Sequence, residues 1–147
     1  MFKKGHFDSA LEVLDTTLRD GEQTPGVSFS PAEKLEIARI LLDRLRVDRM
    51  EIASAGVSEG EKEAVRSVLA WAERREHLNA IEILGFIDNG KSVNWVKEIG
   101  GKVINLLAKG SEQHCRIQLK KAPSRHYEDI ARETAKTEMY LKYLIVR

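Results

Sequence analysis

Val13-Leu-Asp-Thr-Thr-Leu-Arg-Asp-Gly-Glu-Gln23 couples a short apolar run to a loop in which Arg19 and Asp20 stand directly before Gly21. Leu11, Val13 and Leu14 supply β-prone character, so the stretch predicts a strand that runs into a loop, with Gly21 free to take a positive φ. Such a strand delivers Asp20 to its carboxyl end. A carboxylate oxygen there is a hard ligand suited to Mg²⁺, Mn²⁺ or Zn²⁺. The neighbouring guanidinium, charged at any working pH, can hold negative charge developing on oxygen. A bare Arg-Asp-Gly triplet is also compatible with a plain charged turn; the length of the string sets this one apart.

The rest of the chain alternates in the same manner. Ser30-Pro31-Ala32-Glu33 forms a capping box with proline at the first helical position, and Leu35, Ala38, Leu41, Leu42 and Leu45 follow at helical spacing. Arg49–Ala53 reads as a second strand closed by Ser54-Ala55-Gly56. A second capping box, Ser58-Glu59-Gly60-Glu61, opens a helix whose apolar face is Ala64, Val65, Val68, Leu69 and Ala72. Ala80–Phe86 is the third strand, and the turn Asp88-Asn89-Gly90 leads into a short helix carrying Val93, Val96 and Ile99. Gly100-Gly101 ends that helix. Val103–Leu107 is the fourth strand. Ser111–Lys121 reads as a helix, and Pro123-Ser124 restarts helical structure with Tyr127, Ile130, Ala131 and Thr134 on one face. The run Tyr140–Arg147 would be a fifth strand, and a chain stopping inside such a run is expected to be a truncated piece. Strands spaced by roughly 30 residues, alternating with helices, predict an α/β fold of βαβ units around a parallel sheet.

Composition fits one domain: 147 residues, 42% hydrophobic and 32% charged. A net charge of +1 gives no electrostatic case for nucleic acid or an anionic membrane. No apolar run approaches the ~18 residues of a membrane span, and the amino terminus lacks the apolar core of a secretory signal. The single cysteine, Cys115, has no internal disulfide partner, which fits a reducing, cytoplasmic setting.

Asp15-Thr16-Thr17-Leu18-Arg19-Asp20-Gly21-Glu22-Gln23-Thr24-Pro25-Gly26 resembles the signature of the metal-dependent condensing enzymes. That family includes 2-isopropylmalate, homocitrate and citramalate synthases, with 3-hydroxy-3-methylglutaryl-CoA lyase more distant. Glu22 after the glycine, where the lyases carry leucine, favours the synthases. Val47-Asp48-Arg49-Met50-Glu51-Ile52 and Gly101-Lys102-Val103-Ile104-Asn105-Leu106-Leu107 with Gly110-Ser111 resemble the family's second and fourth strands. The likeness extends from about Leu11 to Ile130. It implies a (β/α)8 TIM barrel in which a divalent metal holds a 2-oxo acid while acetyl-CoA is enolised and attacks its ketone. A TIM barrel takes ~250 residues. The expected architecture is therefore a partial barrel of about the first four βα units: residues 1–10 an amino-terminal extension, 11–147 an incomplete barrel domain.

The resemblance implies roles for individual residues. Asp20 corresponds to a metal ligand and Arg19 to the group that answers charge on the enolate or carbonyl oxygen, with Gln23 supporting the site. Glu51, within the second strand, is a candidate catalytic carboxylate, or alternatively a structural partner of Arg49 or a buried lysine. Ser111 and His114 follow the fourth strand, where the synthases carry groups near the substrate. Phe86 departs from the polar residues of several synthases. The family completes its metal site with a His-x-His pair, yet His6, His77, His114 and His126 include none. Little turnover is therefore expected of this chain by itself. Two rival readings are a noncatalytic half-barrel that self-associates, as a homodimer or otherwise, and a small doubly wound α/β binding module.

Overall fold

The structure, a computed structural model, describes residues 11–56 and 58–137 together with the backbone of a strand at 141–146. The expected amino-terminal extension lies outside the described residues. Five strands, β1 (Leu14–Asp15), β2 (Arg49–Ser54), β3 (Ile81–Phe86), β4 (Val103–Ala108) and β5 (Leu141–Val146), form one parallel sheet in the order β1-β2-β3-β4-β5. Between them run α1 (Pro31–Arg39), α2 (Glu59–Arg74), α3 (Lys91–Glu98), α4 (Glu112–Ile117) and α5 (Pro123–Lys136). A strictly sequential order has no topological switch point, so the doubly wound alternative fails and the partial-barrel expectation holds.

Period-2 alternation sorts the strand residues onto two faces. Met50, Ile52, Ile81, Ile83, Ile104 and Leu106 join Val65, Val68, Leu69, Trp71, Ala72, Val93 and Val96 of the helices in one apolar core. Burying each large aliphatic side chain contributes about 1.5–3 kcal/mol. Glu51, Glu82 and Asn105 occupy the opposite face of β2, β3 and β4, all at most 1% exposed. The strands are thus buried on both faces, but one face is polar.

Several local expectations require correction. Leu11 and Val13 are 82% and 58% exposed, and β1 is only two residues long. Gly21 does not carry a positive φ. It opens a 3₁₀ turn over Gly21–Gln23, and the left-handed position of this loop is Gly26 at φ +84°. The helix begun at Pro31 widens into a π-helical stretch over Ile40–Leu45. The changed angular step carries Leu45 off the apolar stripe, leaving it 66% exposed. The helix expected over Ser111–Lys121 stops at Ile117, and Lys120 turns left-handed at φ 52°. On α5 the inward residues are His126 and Glu133. Tyr127 and Ala131 face outward, so the helix is rotated from the expected face. Gly100 does close α3 at φ +84°.

Candidate active site

The loop after β1 is built by its own short polar side chains. Asp15 Oδ1 accepts from the Thr17 amide at 2.9 Å and Oδ2 from the Thr17 hydroxyl at 3.1 Å. The amides of Arg19, Asp20 and Gly21 all converge on the Thr16 carbonyl, at 3.1, 2.7 and 3.2 Å. This tight turn drives Leu18 wholly into the core and projects Arg19 and Asp20 at the carboxyl end of the sheet.

Arg19 then bridges two acids. Its Nε donates to Glu51 Oε2 at 2.5 Å and its Nη1 to Asp20 Oδ1 at 2.8 Å. The Glu51 side chain is 1% exposed and that of Asp20 57%, so the guanidinium spans from the sheet interior to the rim. Among the described residues Arg19 Nη2 has no protein partner, which leaves N–H donors for an oxygen placed beside it. A cleft of about 380 Å³ opens there, lined by Leu18, Arg19, Glu22, Gln23, Ala53, Ser54, Ser58 and Glu61.

Behind Arg19 the polar face of the sheet forms a relay. Asn105 Nδ2 donates to Glu51 Oε1 at 3.1 Å and to Glu82 Oε2 at 2.5 Å, and Arg49 Nη1 donates to Glu82 Oε1 at 2.7 Å. Arg49 Nε also lies 2.9 Å from Glu12 Oε2. Two buried carboxylates are therefore matched by two guanidiniums, the condition under which interior charge is tolerated. Glu51 pairs with Arg19, and Arg49, its expected structural partner, pairs with Glu82 instead.

A second cluster had no counterpart in the sequence reading. Lys34, on α1, is 1% exposed. Its Nζ contacts Glu22 Oε2 at 2.6 Å and also Glu61 of α2. Glu22 Oε1 in turn accepts from the Phe29 amide at 3.0 Å. One ammonium thus ties the loop to both helices. This contact also changes the second expected capping box: Ser58 Oγ accepts from the Glu61 amide, but the Glu61 side chain turns to Lys34. The first box, Ser30 with Glu33, is complete.

Ser111 and His114 stand at the same end of the sheet as Arg19, since both follow a parallel strand. The structure does not bring them to the cleft. Ser111 caps α4, its Oγ accepting from the His114 amide at 3.1 Å, and His114 Nδ1 is buried without a hydrogen bond. Cys115 is fully buried, as a small apolar residue would be. Gln23 lines the cleft from an exposed position.

Asp20 offers one carboxylate to a divalent ion. Among the described residues no group of three or more His, Cys, Asp or Glu side chains is arranged to hold a metal. One ligand falls short of the four to six that Zn²⁺ or Mg²⁺ takes, so the described residues do not by themselves fit the ion. No helix among them is long and apolar enough to cross a membrane.

Residues 10–139 match the family model described as HMGL-like. The chain is 40% identical over 126 residues to (R)-citramalate synthase from Methanocaldococcus jannaschii, covering 85% of this chain and 23% of that protein. It is 34% identical over 122 residues to 2-isopropylmalate synthase from Oceanobacillus iheyensis, covering 82% of this chain and 23% of the relative. In three dimensions it resembles the HMG-CoA lyase from Brucella melitensis, with a TM-score of 0.61 at 18% identity, over 92% of this chain and 48% of the lyase. The chain thus spans about a quarter of the synthases and half of the lyase, which matches the five sequential strands of an eight-stranded barrel. The signature loop, the strand order and these likenesses agree: the chain belongs to the HMGL-like family, whose members here are acyl-CoA:2-oxo acid condensing synthases on a TIM-barrel fold.

Proposed function

We propose that this chain supplies the first part of the active site of a 2-isopropylmalate synthase-type acyltransferase, which joins acetyl-CoA to a 2-oxo acid. The observation that carries it is Arg19 at the head of the 380 Å³ cleft, held by Glu51 and flanked by Asp20. In the condensation a base removes a proton from the acetyl methyl group, and the enolate carbon forms a bond to the ketone carbon. The ketone π electrons move to oxygen as an alkoxide, which is then protonated, and water cleaves the thioester of the adduct to a carboxylate, releasing CoA as the free thiol. The unpartnered Nη2 of Arg19 donates toward the oxygen on which charge develops. Glu51 fixes the guanidinium plane by accepting from Nε, so little reorganisation is needed as charge appears. The ion expected of the family would take Asp20 as one ligand, the others coming from outside the described residues. Gln23 lies on the cleft wall as a polar contact for substrate, whereas Ser111 and His114 would need a substrate long enough to reach α4.

Thiol detection of released CoA tests this reading, with acetyl-CoA and 2-oxoisovalerate as substrates. The 147-residue chain is expected to release none. A version extended by the remaining barrel strands should turn over, Asp20→Ala should abolish that turnover, and Arg19→Lys should lower it about 10²-fold, the cost of losing one oxyanion donor. Unchanged turnover in Asp20→Ala would remove the assignment.

A second reading, the self-associating half-barrel, is favoured by the exposed Leu11 and Val13 beside β1, which pairs only with β2 among the described strands.

A further inference from the structure

Glu51 divides its two oxygens between two donors. Oε2 accepts from Arg19 Nε at 2.5 Å, and Oε1 accepts from Nδ2 of Asn105, on β4, at 3.1 Å. The same amide nitrogen donates to Glu82 Oε2 at 2.5 Å. Glu51, Glu82 and Asn105 are each at most 1% exposed, and neither Glu51 nor Asn105 lines the Arg19 cleft.

A guanidinium carries its Nε–H and one Nη2–H side by side on one edge, and a carboxylate is well shaped to close a two-pronged fork on that pair. Arg19 gives Glu51 its Nε alone. Its Nη1 is held by Asp20 at 2.8 Å, and Nη2 keeps no protein partner among the described residues. The Glu51 oxygen that would complete the fork is the one taken by Asn105.

The orientation of that amide follows from its neighbours. A flipped side chain would press Oδ1 against the carboxylates of both Glu51 and Glu82, so Nδ2 is the atom that must face them. The cost falls on Oδ1, which is buried without a hydrogen bond. An orphaned buried acceptor is unfavourable, and it is retained at the residue whose N–H donors hold Glu51. Glu82 is fixed in turn by Arg49 Nη1 at 2.7 Å, which braces the far side of the amide.

We propose that Asn105 is a positioning residue for Arg19: by holding Glu51 Oε1 it keeps Glu51 from forking onto Nε and Nη2 together, and so leaves Nη2 for the oxygen on which charge develops. Asn105 acts through Glu51 and at a distance from the cleft. The use made of the free donor rests on the condensing reading above, whereas the arrangement of the guanidinium does not.

Nitrogen-15 NMR of the arginine side chains in the full 147-residue chain tests the arrangement, with the Arg19 signals identified by their loss in Arg19→Lys. In the wild type at low temperature the Arg19 Nε–H should lie downfield and exchange slowly with water, while the Nη2 protons exchange freely. Asn105→Leu, or the smaller and β-favouring Asn105→Val where leucine does not fold, should let Oε1 close the fork. An Nη2 proton then moves downfield and its exchange slows about tenfold or more, as a further charge-assisted hydrogen bond requires. Glu82→Gln removes a charge from the ladder but keeps the Asn105–Glu51 contact, so it should leave the Arg19 signals in place. A merely structural role would instead speed exchange at Nε and Nη2 alike in all of these variants, and that result would overturn the proposal. So would an Nη2 proton already downfield and slow in the wild type, which needs no variant to be seen, or unmoved Nη2 signals in an Asn105 variant whose circular dichroism shows it folded. None of these outcomes reads turnover, so they stand apart from the CoA-release test of Asp20 and Arg19.

Discussion

Lys34 shows how one residue can organise a site without touching it. Its ammonium is drawn out of water only because Glu22 and Glu61 converge on it, and Glu22 is three residues from Arg19. Removing the cation leaves two facing carboxylates near the cleft, so Lys34→Met is expected to destabilise the chain by about 3 kcal/mol, toward the lower end of the buried-pair range because both acids are partly exposed. Urea unfolding measures this, and hydrogen exchange should show the Phe29 amide losing protection, since its acceptor Glu22 is freed. Little in the sequence announced Lys34. It lies four residues before Ala38 and seven before Leu41, on the same line of the helix, but a lysine in that line is ordinarily read as a snorkelling edge residue. Arg19, Asp20 and Glu51 were legible because their chemistry is local to one motif and one strand. The Asn105–Glu82 link was not, since it depends on the register of three strands.

Helix starts were the most legible elements, since capping is written in four adjacent residues. Ser30 and Ser58 both cap as expected, yet only Ser30 has its glutamate returned to the cap amide. Ser30→Ala is expected to cost about 1 kcal/mol at neutral pH. The backbone amide of Ser30, and then its hydroxyl, hold the Glu33 carboxyl below its ordinary value. A carboxylate with a depressed folded pKa contributes stability above its unfolded value and loses it as pH falls through the folded one. The gap between wild type and Ser30→Ala should therefore narrow as pH drops below about 4.5, and thermal melts across that range check the direction. Helix faces were less legible where sequence spacing met a change of geometry. The π-helical widening after Arg39 and the rotation of α5 onto His126 and Glu133 both follow from tertiary packing, which no local spacing encodes.

At the scale of the molecule, alternating strands and helices predicted the parallel sheet, while its sequential order was expected from the resemblance to a barrel family, since right-handed crossovers also build doubly wound sheets. Periodicity alone did not reveal that the barrel-facing side would be ionic, and this matters for an open barrel. The polar ladder from Arg19 to Arg49 pairs each buried carboxylate with a guanidinium, so its charges do not demand further strands in the way an apolar face would, although Asn105 Oδ1 is buried without a hydrogen bond. The demand arises instead at the sheet edges. β1 is paired on one side only among the described strands, and the exposed Leu11 and Val13 lie beside it. Unpaired parallel strands with apolar flanks are templates for association. The chain should therefore sediment as a concentration-dependent mixture with species of at least twice the monomer mass. Leu11→Lys with Val13→Lys should shift it toward monomer, because charge on an edge opposes strand addition, while leaving far-UV dichroism unchanged since neither side chain is in the core. A wild-type chain that stays monomeric at high micromolar concentration would show that the short β1 and the Val13–Asp48 contact, an amide held at 2.8 Å by the Asp48 carboxylate, already protect the edge.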